Sequence, residues 1–223
     1  HEQFQLNEET VWGGSPHNNT NPKAKDALPR IRQLIFEGKN KEAQELCGPT
    51  ICSQSANGMP YQTVGSLHLD FDGINEYNDY YRDLDIEKAI ATTRFTANGV
   101  TYTREAYTSF PDQVLVIRLT ASQKKSISFT AKYSTPYKSS VIRCISPRKE
   151  LQLNGKANDH EGIEGKVEFT ALTRIENNGG KLEILSDSTL QVKDANSVIL
   201  YVSIGTNFVN YKDVSGDALN SAQ

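Results

Sequence analysis

Tryptophan and methionine each occur once in this chain, cysteine three times and histidine four times, and each scarcity closes off a class of chemistry. Cys47 and Cys52 are separated by Gly-Pro-Thr-Ile, wider than the C-x-x-C redox spacing, and Cys144 is remote from both. Neither a disulfide scaffold nor a thiolate metal site is indicated, and the thiols read as buried or incidental small hydrophobes. No histidine stands at metal-ligand spacing from another, so no metal is expected. No apolar run approaches the roughly 18 residues of a membrane span, and no charged-then-apolar signal segment opens the chain. A net charge of -3 with scattered Lys and Arg leaves no basic footprint. Neither nucleic acid nor membrane is an expected partner. The G-x-S-x-G elbow is missing and the glycine pairs lack phosphate-loop spacing, so no cofactor is expected either.

What is abundant is alternation. Leu67, Leu69 and Phe71 fall on one side of a period-two pattern, with Ser66, His68 and Asp70 on the other. Segments 89–96 and 100–108 flank Ala97-Asn98-Gly99, a strong hairpin signal. Val114-Leu115-Val116-Ile117 reads as a central strand, and further runs recur at 127–133, 151–153, 165–175, 181–185, 190–193 and 198–204. Asp70 to Asp85, acidic and rich in tyrosine, reads as a connection. One region is helical: Asn21 is placed to cap, Leu28, Ile31, Leu34 and Ile35 recur at helical spacing, and Pro29 shifts the expected start towards Leu28. A second short helix, 41–46, is expected to close at Gly48-Pro49. The expected fold is mainly β, an antiparallel sandwich of roughly ten or more strands with a helical insertion at about 22–47. Its 223 residues suit one domain. Residues 1–211 carry the sandwich; 212–223 lose the alternation, and the stretch from Ser215 to Leu219 has the makings of a helix cap.

The stretch from Phe4 to Pro22 fits neither an ordinary strand nor an ordinary loop. After a short alternating run come Asn7, Glu8 and Glu9, then the sole Trp12 beside Gly13-Gly14-Ser15-Pro16, then His17, Asn18, Asn19, Thr20 and Asn21. An indole next to many amides suits a surface that meets a sugar or another domain. Its local alternatives are a core Trp and asparagines that serve turns. Asn18-Asn19-Thr20 also fits a glycosylation acceptor.

Leu6 to Pro16, L-N-E-E-T-V-W-G-G-S-P, resembles the opening of the amino-terminal β-domain of glycoside hydrolase family 95, the α-L-fucosidases and α-L-galactosidases. Tyr61 to Phe71, Tyr81 to Ala91 and Gly99 to Ala121 are similar to further blocks of that domain, in the same order. The resemblance implies glycine-rich strands upstream of His1, and an (α/α)6 catalytic barrel downstream that works by inversion. It places no catalytic residue in this chain. Instead it implies that Asn7, Glu8, Trp12, His17, Asn18 and Asn19 contact the barrel or a fucosylated or galactosylated glycan. It also implies a bacterial setting, exported to the periplasm or cell surface.

Twenty-seven acids make chance carboxylate pairs inevitable. Glu8 and Glu9, adjacent on an extended chain, would point to opposite sides, and Asp83 and Asp85 lie beside Arg82. Neither pair reads as an acid and base. The expectation is a non-catalytic β-domain that supports a barrel; the rivals are a carbohydrate-binding module using Trp12 with Tyr77, Tyr80 or Tyr81, and a cell-surface adhesin.

Overall fold

The computed structural model describes residues 1–53 and 58–223. Among them, thirteen strands form two antiparallel sheets. The smaller runs β1 (Glu2–Leu6), β2 (Gly65–Phe71), β7 (Ile127–Ser134), β12 (Thr189–Ala195), β11 (Lys181–Ser186). The larger runs β3 (Asn78–Asp85), β4 (Ile90–Ala97), β5 (Val100–Ser109), β6 (Val114–Ala121), β13 (Ser197–Thr206), β10 (Glu168–Asn178), β9 (Glu150–Lys156), β8 (Val141–Ile145). Period-two patterning makes the sandwich. Leu67, Leu69, Phe129, Ala131, Leu190 and Val192 from one sheet meet Ile117, Leu119, Leu151, Leu153, Phe169 and Leu200 from the other in a single core. Each fully buried large side chain there contributes about 1.5–3 kcal/mol. The Tyr133 hydroxyl bridges the sheets to Thr173 Oγ1 at 2.5 Å, and burial pushes its phenol well above the ordinary tyrosine value.

β6 sits inside the larger sheet as expected, between β5 and β13. Asn98 and Gly99 both have positive φ (52° and 75°), which is why Asn-Gly makes the tight turn joining β4 to β5. The 70–85 segment departs from expectation, since it holds β3. That strand lies at the sheet edge with both faces largely exposed, Asp79 has φ 52° and the pairing slips between Asn78 and Tyr81, so its alternation is broken.

The helical insertion also departs in detail. α1 (Ala24–Phe36) begins ahead of Leu28 and contains Pro29; α2 (Asn40–Ile51) runs through Gly48-Pro49 instead of stopping there. Ile31, Leu34 and Ala43 bury against one another in a small core of their own, which offsets the hydrogen bonds the prolines remove. Asn21 does not cap α1 as a side chain at the N-cap: its Oδ1 accepts from Lys23 N (3.1 Å) while its Nδ2 donates to Pro49 O and Cys52 O (3.0 Å each), tying off the last turn of α2. Cys52 is exposed and Cys47 and Cys144 are half-buried, all three as free thiols, so of the two readings, buried or incidental, they fit the incidental one.

After β13 the chain turns at Asn210–Asp213 and ends in α3 (Ala218–Ala222). Asp217 Oδ1 accepts from Leu219 N (2.9 Å) and Asn220 N (3.0 Å), the cap foreseen in the 215–219 stretch. The helix lies against the larger sheet, where Ser203 Oγ donates to Ala222 O.

Candidate functional site

Where β1 ends, Leu6 O accepts from Val64 N (2.9 Å) and Thr63 Oγ1 (2.8 Å), bringing the opening loop beside the chain that leads into β2. Val11 is fully buried and its carbonyl accepts from Gln62 N at 2.9 Å. Gly13 N donates to Pro60 O and Gly14 N to Asn158 O, both at 2.9 Å, while Lys166 N donates to Gly14 O at 3.0 Å. Three segments distant in sequence are thus laced together by backbone. Glycine is favoured at this crossing: Gly14 has φ +69°, and a Cβ there would stand 2.6 Å from Met59 Sδ and push that side chain aside.

Glu8 has a structural task. Its Oε2 accepts from Thr10 N (2.8 Å) and Thr10 Oγ1 (2.7 Å). Thr10 Oγ1, having given its proton to Glu8, accepts from Thr206 Oγ1 at 2.6 Å, and Thr206 in turn accepts from Phe208 N at 3.3 Å. This relay fixes the turn after β13 against the opening loop. Trp12 is 43% exposed; it lies edge-on to Tyr61 with ring centroids 5.2 Å apart and donates Nε1–H to Glu9 O at 2.7 Å. Burial first, then the charges of Glu8 and Glu9, push the Tyr61 phenol up.

The result is a cleft of about 320 Å³ bordered by Thr10, Trp12, Pro16, Met59, Phe208 and Tyr211, with His17 at its rim. Its walls are mostly apolar and carry no carboxylate. The expected site residues divide around it. Trp12 and His17 line it, the latter donating Nδ1–H to Ser15 O at 2.8 Å. Asn7 and Glu8 border a separate cleft of about 730 Å³ between β1 and the β5–β6 turn, beside Phe110. Asn18 and Asn19 are exposed and line neither, Asn18 Oδ1 accepting locally from Thr20 N at 3.0 Å. Phe208 and Tyr211 were not anticipated. The available hint was a run of exposed apolar residues, Phe208, Val209 and Tyr211, just where alternation fails.

Tyr77, Tyr80 and Tyr81 do not join Trp12. Tyr77 is 5.6 Å from Tyr80 and 6.0 Å from Phe95, at the Phe71 end of β2, whereas Trp12 is at the Gly65 end, about 20 Å away at strand rise. Asp85 on β3 is occupied as well, its carboxyl held below the usual range by its hydrogen bond from Lys88. Among the described residues no group of three or more His, Cys, Asp or Glu is placed to hold a metal.

Residues 1–211, which include every wall of the aromatic cleft but Val214, match the family described as glycosyl hydrolase family 65, N-terminal domain. The chain belongs to this family. This glycosyl hydrolase N-terminal domain is 31% identical to alpha-L-fucosidase 2 of Arabidopsis thaliana over 229 residues, covering 91% of the chain and 26% of that protein. It is 25% identical to probable alpha-fucosidase A of Aspergillus niger over 212 residues, with the same coverage. A probable alpha-fucosidase A of Aspergillus oryzae is 27% identical over 128 residues, 54% of the chain and 17% of that protein. The domain spans about a quarter of the length of the first two relatives. Their names agree with the resemblance to the family 95 β-domain, although the matched description carries the number 65. All three are plant or fungal, so the bacterial setting has no counterpart among them.

Proposed function

We propose that this N-terminal domain is the non-catalytic β-domain of an α-L-fucosidase-like glycoside hydrolase, and that its aromatic cleft packs against a catalytic (α/α)6 barrel of the same polypeptide near the mouth of the sugar site. The observation that carries this reading is the group of exposed Trp12, Phe208 and Tyr211 with half-buried Met59, gathered from three segments onto one apolar cleft without a carboxylate. Such a patch is costly to leave in water and marks an interaction surface. Glu8 supports the same reading, because the relay through Thr10 and Thr206 uses it as an anchor.

The test uses the sole tryptophan. Trp12 emission is compared in this domain and in the full-length polypeptide; a blue shift in the longer protein is expected, and identical spectra would remove the docking role. Fucosyl and galactosyl substrates are assayed with the domain alone, where sugar release would overturn the non-catalytic assignment. Titration with fucosylated and galactosylated glycans is expected to leave Trp12 emission flat. Export to the periplasm or cell surface is part of the proposal and is checked by cell fractionation.

A further inference from the structure

The outward face of the larger sheet carries a row of side chains running across five strands. Tyr107 on β5 pairs with Val116 on β6, Val116 with Tyr201 on β13, and Tyr201 with Arg174 on β10; Arg174 then reaches Glu150 on β9. Between this row and α3 lies a cleft of about 410 Å³, bordered by Arg148, Glu150, Leu172, Arg174, Glu176 and Tyr201. It shares no wall with the aromatic cleft.

Glu150 is unusual for a charged group, being only 6% exposed. Both bonds from Arg174, Nε at 3.0 Å and Nη2 at 2.6 Å, end on the same oxygen, Oε1. Among the described residues no donor reaches Oε2, which leaves one oxygen of this cleft-lining carboxylate with unused acceptor capacity. Two residues along the same face of β9, Gln152 is fully buried; its Oε1 accepts from Arg143 Nε at 2.8 Å, but its Nε2 has no partner among the described residues. This face is therefore not complete in itself.

The charges around the cleft select the kind of ligand. Asp112, Glu150 and Glu176 oppose an anion, and Arg148 and Arg174 oppose a cation. A neutral polyhydroxyl molecule satisfies both sets, donating a hydroxyl to Glu150 Oε2, accepting from guanidinium N–H, and laying a C–H face on the Tyr201 ring. We propose that this cleft binds a neutral sugar residue, with Glu150 Oε2 as the principal acceptor and Arg174 as the positioning residue that holds the carboxylate. The site is additional to the docking role of the aromatic cleft; only the choice of sugars to test rests on the glycoside hydrolase reading.

The experiment is an amide-resolved NMR titration with L-fucose, D-galactose and D-glucose, each taken separately to high millimolar concentration. Saturable shifts at Glu150, Arg174 and Tyr201 with at least one sugar are expected, with residues around Trp12 unmoved. Glu150→Gln keeps an oxygen for Arg174 but replaces the free acceptor by a donor, so binding weakens about tenfold or more while the spectrum stays folded. Tyr201→Ala removes the ring while keeping both members of the Arg174–Glu150 pair and weakens binding as well. The proposal is overturned if no sugar gives saturable shifts at these residues, or if Glu150→Gln binds as the parent does. Repeating the titration on the full-length polypeptide separates the two readings: binding lost only there puts the rest of the chain in this cleft and ends the sugar assignment, whatever Trp12 does.

Discussion

Two aromatic regions lie at opposite ends of β2, and they are built differently. At the Gly65 end, Trp12, Tyr61, Phe208 and Tyr211 come from segments up to about two hundred residues apart and are fixed by crossing backbone hydrogen bonds and a relay of hydroxyls. At the Phe71 end, Tyr77 and Tyr80 come from one connection and edge strand and rest on each other and on Phe95. The denser aromatic run in sequence gives the looser arrangement in space. A site is made by long-range closure, and local abundance of sticky side chains does not substitute for it.

The comparison can be broken or sharpened at several points. The Phe71 end depends on Arg104, which lies over the rings of Phe71 (4.0 Å) and Phe95 (4.7 Å) and pairs with Glu2 at 2.7 Å, both charged side chains being nearly buried. Arg104→Ala strands Glu2 and should cost about 3–5 kcal/mol in urea unfolding, leaving native Trp12 emission unchanged. At the opposite end, Gly14→Ala brings left-handed strain and makes the Met59 thioether shift, and should cost about 1–3 kcal/mol, with a shift of native Trp12 emission. If Gly14→Ala proved neutral, the claim that the loop crossing is rigidly built would fail. Thr10→Val cuts the relay from Phe208 to Glu8 and should cost about 1–2 kcal/mol, with amide exchange quickening around 206–211. Tyr80→Ala, on an open edge, should stay within about 0.5 kcal/mol of the parent; a larger loss would show that the two ends are more alike than described. The smallest effect concerns Tyr61, whose phenol is raised by burial and then by Glu8 and Glu9. Because the folded form resists ionisation, its contribution to stability is present below about pH 10 and is lost as pH rises through the folded value. Glu9→Gln should lower the Tyr61 midpoint slightly in an ultraviolet titration without restoring the ordinary value.

Much of the sandwich was legible as period two, because a strand with one face in the core must alternate. The Asn98-Gly99 turn, the interior position of β6 and the cap at Asp217 are likewise consequences of local chemistry that a sequence displays. β3 was not legible, since a strand exposed on both faces and slipped in register has no alternation to show. The passage of α2 through Pro49 escaped for another reason: Asn21, nearly thirty residues upstream, ties off its last turn. The walls of the aromatic cleft differ in how far the sequence displays them. Composition points to Trp12 and His17, but Phe208 and Tyr211 join them only through the closure of the whole sandwich, and Glu8, which borders the other cleft, also holds the loop through its Oε2.

The two sheets are of unequal width, eight strands against five, so Phe95, Ala97, Val100 and Tyr102 form a separate cluster with Ile74 outside the main core. Among the described residues no strand of the smaller sheet joins that cluster, and the Arg104 guanidinium wedged between two rings serves as its tie beam. Loosening therefore has a built-in direction, starting where the cover runs out and travelling inward to the shared core.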